Sequence, residues 1–141
     1  MKFDDFSIGD TFNTKSYQLS EEEIIKFARE FDPQYMHIDK NKASEGRFNG
    51  IIASGMHTMS LSFKLWVETG KYGEEVVAGT QMNHVKFSKP VYPNDTLRVV
   101  AEVTNKHSVK KENGLLTVLL TTFNQHDTIV FKAELTALVS N

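Results

Sequence analysis

Apolar positions recur at two different periods along this chain, and the change from one to the other divides it. Ile24, Phe27, Ala28 and Phe31 fall at helical spacing and would make one apolar face. Ser20 followed by Glu23 is a capping box, in which each residue satisfies a backbone donor at the helix start. Pro33 disfavours helical geometry at the residue before it. The pattern therefore predicts a helix from about Ser20 to Phe31, with Asp32 held just beyond its end. A second, short helix is expected from about Asp39 to Glu45, capped by Asp39. The run Phe48 to Ser54 contains Ile51-Ile52-Ala53 and no helical caps. From Gly55 to about Thr69 the helical period returns. Met59, Phe63, Leu65 and Trp66 mark that helix as buried over most of its surface, with Met59, Phe63 and Trp66 assigned to the core. Thr69-Gly70 and Tyr72-Gly73 end it.

After Val76 the period is two. Val99, Ala101 and Val103 alternate with Val100, Glu102 and Thr104, and Phe131, Ala133, Leu135 and Ala137 alternate with Lys132, Glu134 and Thr136. Such alternation predicts strands with one face on a core. Asn113-Gly114 separates two of these runs and is a hairpin turn signal, and Asn124 to Asp127 is a second turn. Thr11 to Gln18 can supply one more strand. Helices followed by four long strands suggest an α+β domain, with one long helix packed on a curved antiparallel sheet.

The bulk properties narrow the picture. A chain of 141 residues suits one domain and can bury its core without a disulfide or metal. The formal net charge is -2 with Lys and Arg scattered, which gives nucleic-acid binding no electrostatic footprint. There are no cysteines, so a thiolate nucleophile and sulfur-based zinc sites are absent. Asp4 and Asp5 interrupt the position where a signal peptide needs an apolar run, and no apolar run approaches a membrane span. A cytoplasmic location is the expectation.

The chemistry concentrates in Phe31-Asp32-Pro33-Gln34-Tyr35-Met36-His37-Ile38-Asp39 and Ala53-Ser54-Gly55-Met56-His57. A carboxylate and an imidazole lie five residues apart across a non-helical turn. Beyond them a glycine opens a buried helix, whose end offers unpaired N–H groups and a partial positive charge. Asp32 taken alone reads as a helix-end residue beside a proline, and His37 alone as a surface or hydrogen-bonded histidine. Their joint occurrence with Ala53-Ser54-Gly55 points to catalysis. Gly55 also suits a tight turn. His57 could face the site, although packing or capping is the plainer role. His84, His107 and His126 read as surface residues. No histidine pair has the spacing of a zinc helix motif. Ser54 is no nucleophile elbow, because Ile52 and Met56 stand where glycines are needed. Lys86, Lys89 and Arg98 read as a solvated face that could also meet phosphates.

These segments resemble the hydratase motif of the MaoC-like dehydratases, also known as (R)-specific enoyl-CoA hydratases. Ala53-Ser54-Gly55-Met56 and Val85 to Leu97 are similar to the family as well. The resemblance implies a single hot-dog domain over residues 1–141, an antiparallel sheet wrapped around a central helix beginning at Gly55. It implies reversible hydration of a trans-2-enoyl-CoA to an (R)-3-hydroxyacyl-CoA, with Asp32 as general base on the attacking water. His37 would hold that water and move a proton at C2. The Gly55 N–H would stabilise the thioester oxygen, and Ser54 and His57 would complete the substrate-binding set. No metal or redox cofactor is implied, with coenzyme A entering only as the substrate thioester. The expected partner is a second copy of the chain, as a homodimer or an oligomer of dimers. Gln34 and Tyr35 depart from the family's Asn-Pro turn, which bears on the spacing of Asp32 and His37.

Two other functions fit the same fold. A thioesterase commonly uses an acid on the central helix, but Gly55 to Trp66 has no Asp or Glu. A non-catalytic acyl-CoA-binding protein would bind an enoyl-CoA without converting it.

Overall fold

The computed structural model describes all 141 residues. Helix α1 runs Glu21–Phe31, α2 Tyr35–Ile38, α3 Lys40–Ser44 and α4 Gly55–Val67; the strands are β1 Thr11–Asn13, β2 Tyr17–Gln18, β3 Val76–Phe87, β4 Thr96–Lys110, β5 Asn113–Phe123 and β6 Ile129–Ser140. A 3₁₀ turn at Phe3–Asp5 precedes them. The sheet is antiparallel, in the order β1-β4-β5-β6-β3, with β2 also pairing β4. Thr11 to Gln18 thus gives two short strands on one side of β4 rather than one.

The alternation read along the last strands is the alternation of burial. Val99, Ala101 and Val103 of β4, Leu116, Val118 and Leu120 of β5, and Phe131, Ala133 and Ala137 of β6 are buried. They form one cluster with Leu61, Leu65 and Trp66 of α4. The central helix therefore lies on the apolar face of the sheet. A buried hydroxyl pair adds a directional tie. Ser62 and Thr122 sit 2.6 Å apart, and Ser62 also donates to the carbonyl of Thr58 at 2.7 Å. No helix is long and apolar enough to cross a membrane.

Helix α1 starts as expected. Ser20 Oγ accepts from the Glu23 N–H and the Glu23 carboxylate accepts from the Ser20 N–H. Asp39 caps α3 by accepting from Lys42.

Several expectations are corrected. Phe31 is exposed, its ring resting on Phe27 outside the core. The Asn113-Gly114 pair is not the hairpin turn. Lys110 already pairs with Asn113, so Lys111 and Glu112 make the bend. Gly114 serves another need, since a Cβ there would lie 2.4 Å from the ring of Phe3. Helix α4 is not buried all round. Thr58, Leu61, Ser62, Leu65 and Trp66 face inward, while Met56, Phe63 and Val67 are exposed and Met59 is half-buried. A helix covered on one side by a sheet buries only that stripe. The segment between Asp32 and His37 is not wholly non-helical either, because α2 is a single turn that contains His37.

Candidate active site

Asp32 is the first residue past α1, its N–H still bonded to the carbonyl of Ala28 at 2.8 Å. Pro33 and Gln34 then extend the chain, and α2 begins at Tyr35 with Gln34 as its cap. The first helical residue has no intrahelical partner for its N–H, which is why proline is tolerated there. Tyr35 thus occupies a position that proline could also fill. Two residues later His37 projects back toward Asp32, with Nε2 at 3.3 Å from Oδ2.

The imidazole is fixed from behind. Nδ1 lies 2.7 Å from the carbonyl oxygen of Ile52, which can only accept, so Nδ1 carries a hydrogen. Nε2 is thereby turned onto the carboxylate oxygen Oδ2 of Asp32. The neighbouring Ile52 N–H bonds to Met36 at 3.1 Å, tying the two segments together.

The carboxylate is held as firmly. Ser54 Oγ donates to Oδ2 at 2.6 Å and the Gln34 side-chain amide donates to Oδ1 at 2.6 Å. The Ser54 hydrogen bond foremost, with help from Gln34 and the charge of His37, holds the Asp32 carboxyl below its ordinary value, although burial pushes the other way. Hydrogen bonds to the charged form act in this direction.

Helix α4 opens at the same place. Ser54 is its cap and accepts from the N–H of Met56 at 3.2 Å, while the Ser54 carbonyl takes the N–H groups of His57 and Thr58. The N–H of Gly55, first in the helix, has no hydrogen-bond partner. Gly55 leaves no room for a side chain, because a Cβ would stand 2.7 Å from the ring of Phe87.

Asp32, Gln34, His37 and Gly55 line one cavity of about 490 Å³, with walls that include Phe48, Met56, Phe87, Val91 and Val130. Lys89 also borders it, whereas Arg98 pairs with Asp127 at 2.8 Å. His84, His107 and His126 are exposed, as expected.

Two expected substrate-binding residues are elsewhere. Ser54 is fully buried, and its hydroxyl is engaged by Asp32 and Met56, so it stands behind the carboxylate. His57 stacks on Phe27 at 4.4 Å and lines a separate hollow with Tyr17 and Glu23. Two residues along a helix is about 200° of rotation, which turns His57 away from the face of Gly55. Burial pushes its imidazole pKa down, more than nearby Glu23 raises it. Thr58, Phe87 and Ser88 border the cavity and were not anticipated. Thr58 was detectable in principle, because residues three apart share a helix face. No three His, Asp or Glu side chains converge where a metal ion could be held.

The sequence matches the family model described as "MaoC like domain" over residues 5–124. The chain belongs to the MaoC-like domain family. Among MaoC-like relatives, the Klebsiella aerogenes "Protein MaoC" is 33% identical over 98 residues, 69% of this chain and 29% of that longer protein. The Bacillus subtilis (strain 168) protein YdeM, described as uncharacterized, is 56% identical over 139 residues, 99% of each chain. The MaoC-like dehydratase of Rhodospirillum rubrum is a structural match with TM-score 0.92 and 26% identity, covering 100% of this chain and 97% of that one. The (R)-hydratase PhaJ1 of Pseudomonas aeruginosa matches with TM-score 0.76 and 22% identity, covering 98% and 84%. The fold is the hot dog, of class α+β, and the MaoC-like family supports a hydratase or dehydratase.

Proposed function

We propose that this chain catalyses the reversible addition of water to a trans-2-enoyl-CoA, giving an (R)-3-hydroxyacyl-CoA. One observation carries the reading: the Asp32 carboxylate, the His37 imidazole 3.3 Å from it and the unpartnered N–H of Gly55 open on one cavity. In the hydration direction Asp32 takes a proton from water as its oxygen bonds to C3. The π electrons of the C2–C3 bond move toward the thioester oxygen, where the Gly55 N–H receives the developing charge. A proton then passes to C2 through His37, and the carboxylate is restored. Positioned acid–base groups of this kind typically contribute about 100- to 10,000-fold.

No carboxylate on α4 supports the thioesterase alternative, since the residues from Gly55 to Val67 include no Asp or Glu. The purified protein mixed with crotonyl-CoA should consume the enoyl absorbance without releasing free thiol. Asp32→Asn should abolish that turnover while the melting temperature stays near the parent value. Absence of turnover across several chain lengths, with the fold intact, would overturn the proposal. Thiol release would indicate the thioesterase, and binding without conversion a non-catalytic protein.

The assembly belongs to the same reading. Met56, Phe63 and Val67 form an exposed stripe along α4, and Val77, Met82, Val85 and Phe87 are exposed on the edge strand β3. An exposed apolar face built from two adjoining elements favours a twofold pair of chains. Phe87 belongs both to that face and to the cavity wall, so a second copy would border the site.

A further inference from the structure

Thr58 is 97% covered, being only 3% exposed, and it borders the cavity shared by Asp32, His37 and Gly55. Its hydroxyl has no hydrogen-bond partner in the protein. Threonine on a helix commonly returns its hydroxyl to a carbonyl three or four residues back. Here the Ser54 carbonyl is already taken by the N–H groups of His57 and Thr58. The hydroxyl is open to the cavity that the residue lines, so it is free to meet an atom of a bound ligand.

The position indicates which atom. Thr58 is three residues after Gly55, on the same face of α4. Side chains on a helix lean toward its N-terminus, which carries this hydroxyl toward the free N–H of Gly55. The Ser62 hydroxyl, itself paired with Thr122, donates to the Thr58 carbonyl and so fixes the rotation of α4 against β5 at this residue.

We propose that the Thr58 hydroxyl is a second hydrogen-bond donor to the thioester oxygen, acting beside the Gly55 N–H. This rests on the hydratase reading, and it makes Thr58 a catalytic residue in contact with substrate. As negative charge gathers on that oxygen, two donors receive it instead of one. The removal of one such donor typically lowers kcat about 100-fold.

Thr58→Val keeps the branched shape and removes the donor. It should lower kcat on crotonyl-CoA about 100-fold and raise KM by a smaller factor, since the contact already forms with the bound thioester, while Thr58→Ser retains most of the rate. No protein hydrogen bond is lost, so the melting temperature of Thr58→Val should not fall. A binding experiment separates this claim from hydration itself. Butyryl-CoA cannot be hydrated but keeps the thioester oxygen, and S-butyl-CoA, a thioether, lacks it. The parent protein should bind butyryl-CoA more tightly in calorimetry, and Thr58→Val should narrow that preference while its affinity for the thioether holds. An unchanged preference in Thr58→Val, or no preference in the parent, would overturn the proposal. A preference that depends on Thr58 in a protein that turns over no enoyl-CoA would uphold the contact and refute the hydration.

Discussion

Ser54 and Asp32 are joined by a 2.6 Å hydrogen bond between residues 22 positions apart, and the same Ser54 hydroxyl accepts the N–H of Met56. One buried hydroxyl thus couples the proposed base to the mouth of the central helix. The base and the oxyanion donor are held in a common frame, which is the condition for preorganised catalysis.

Ser54→Ala should therefore move the pH profile in a stated direction. Asp32 must be ionised to act as a base, and Ser54 is the foremost cause of its lowered pKa. Without that donor the pKa rises toward the ordinary carboxylate value of about 4. The acidic limb of kcat/KM should shift to higher pH, with activity lost earlier as pH falls. The lost helix cap should cost about 1 kcal/mol of stability at all pH values. An acidic limb that stays in place would show that Asp32 does not govern it.

The same carboxylate links stability to pH. A carboxyl with a depressed folded pKa contributes stability that is fully present above its unfolded pKa and is lost as pH falls through the folded one. The Gln34 amide is a secondary cause of the depression, from an exposed position. Gln34→Ala should lose a small part of the stability at neutral pH, where the contribution is fully present, and converge on the parent at low pH once the carboxyl is protonated. In denaturant titrations, it should reduce the part that the parent loses below about pH 4. A neutral-pH loss above about 1 kcal/mol would mean that Gln34 holds the bend between α1 and α2 rather than tuning the base.

Gly55 separates space from chemistry. Alanine there keeps the N–H and favours the helix by up to about 1 kcal/mol, but its Cβ would meet the Phe87 ring at 2.7 Å. Phe87 is a half-exposed side chain and can swing aside, so Gly55→Ala should fold and bind substrate poorly. Adding Phe87→Ala should restore part of the lost kcat/KM by clearing that contact. A double variant no better than Gly55→Ala would place the defect in the backbone at the helix start. Steady-state kinetics on the two proteins decides it.

The sequence carried the local features of this site and not the long-range ones. The Ser20–Glu23 box, the proline after Asp32 and the strand alternation each depend on neighbours a few residues away, and each appears in the fold. Asp32 and His37 belong to one bend, so their meeting could be read from spacing. The partners that fix them, Ser54 and the Ile52 carbonyl, come from a segment 15 to 22 residues on, and only tertiary packing brings it there. Ser54 and His57 stand in the expected substrate-binding set, with packing or capping the plainer role for His57. A cap turns the Ser54 side chain onto the helix end, and a step of two from Gly55 puts His57 on the opposite face, where it stacks on Phe27. Asn113-Gly114 predicts a turn because Asn-Gly so often makes one. The cause of the glycine is the ring of Phe3, more than a hundred residues away.

Helical spacing places Phe63 in the core, yet it is 47% exposed in the single chain. It borders a hollow of about 730 Å³ whose walls include Met59, Val67, Val76 and Leu135, on the open side of α4. A large apolar side chain at this position is explained if another copy of the chain covers it. Phe63→Glu would place a charge on each side of a twofold contact, where like charges oppose association. Sedimentation of the parent should report a dimer at micromolar concentration, and Phe63→Glu should shift the population to monomer. Its helix should persist, because Phe63 is not among the buried residues of α4. Activity should fall with the dimer fraction, since Phe87 of the cavity wall lies on the same face. A variant that remains dimeric would place the contact between chains elsewhere on the molecule.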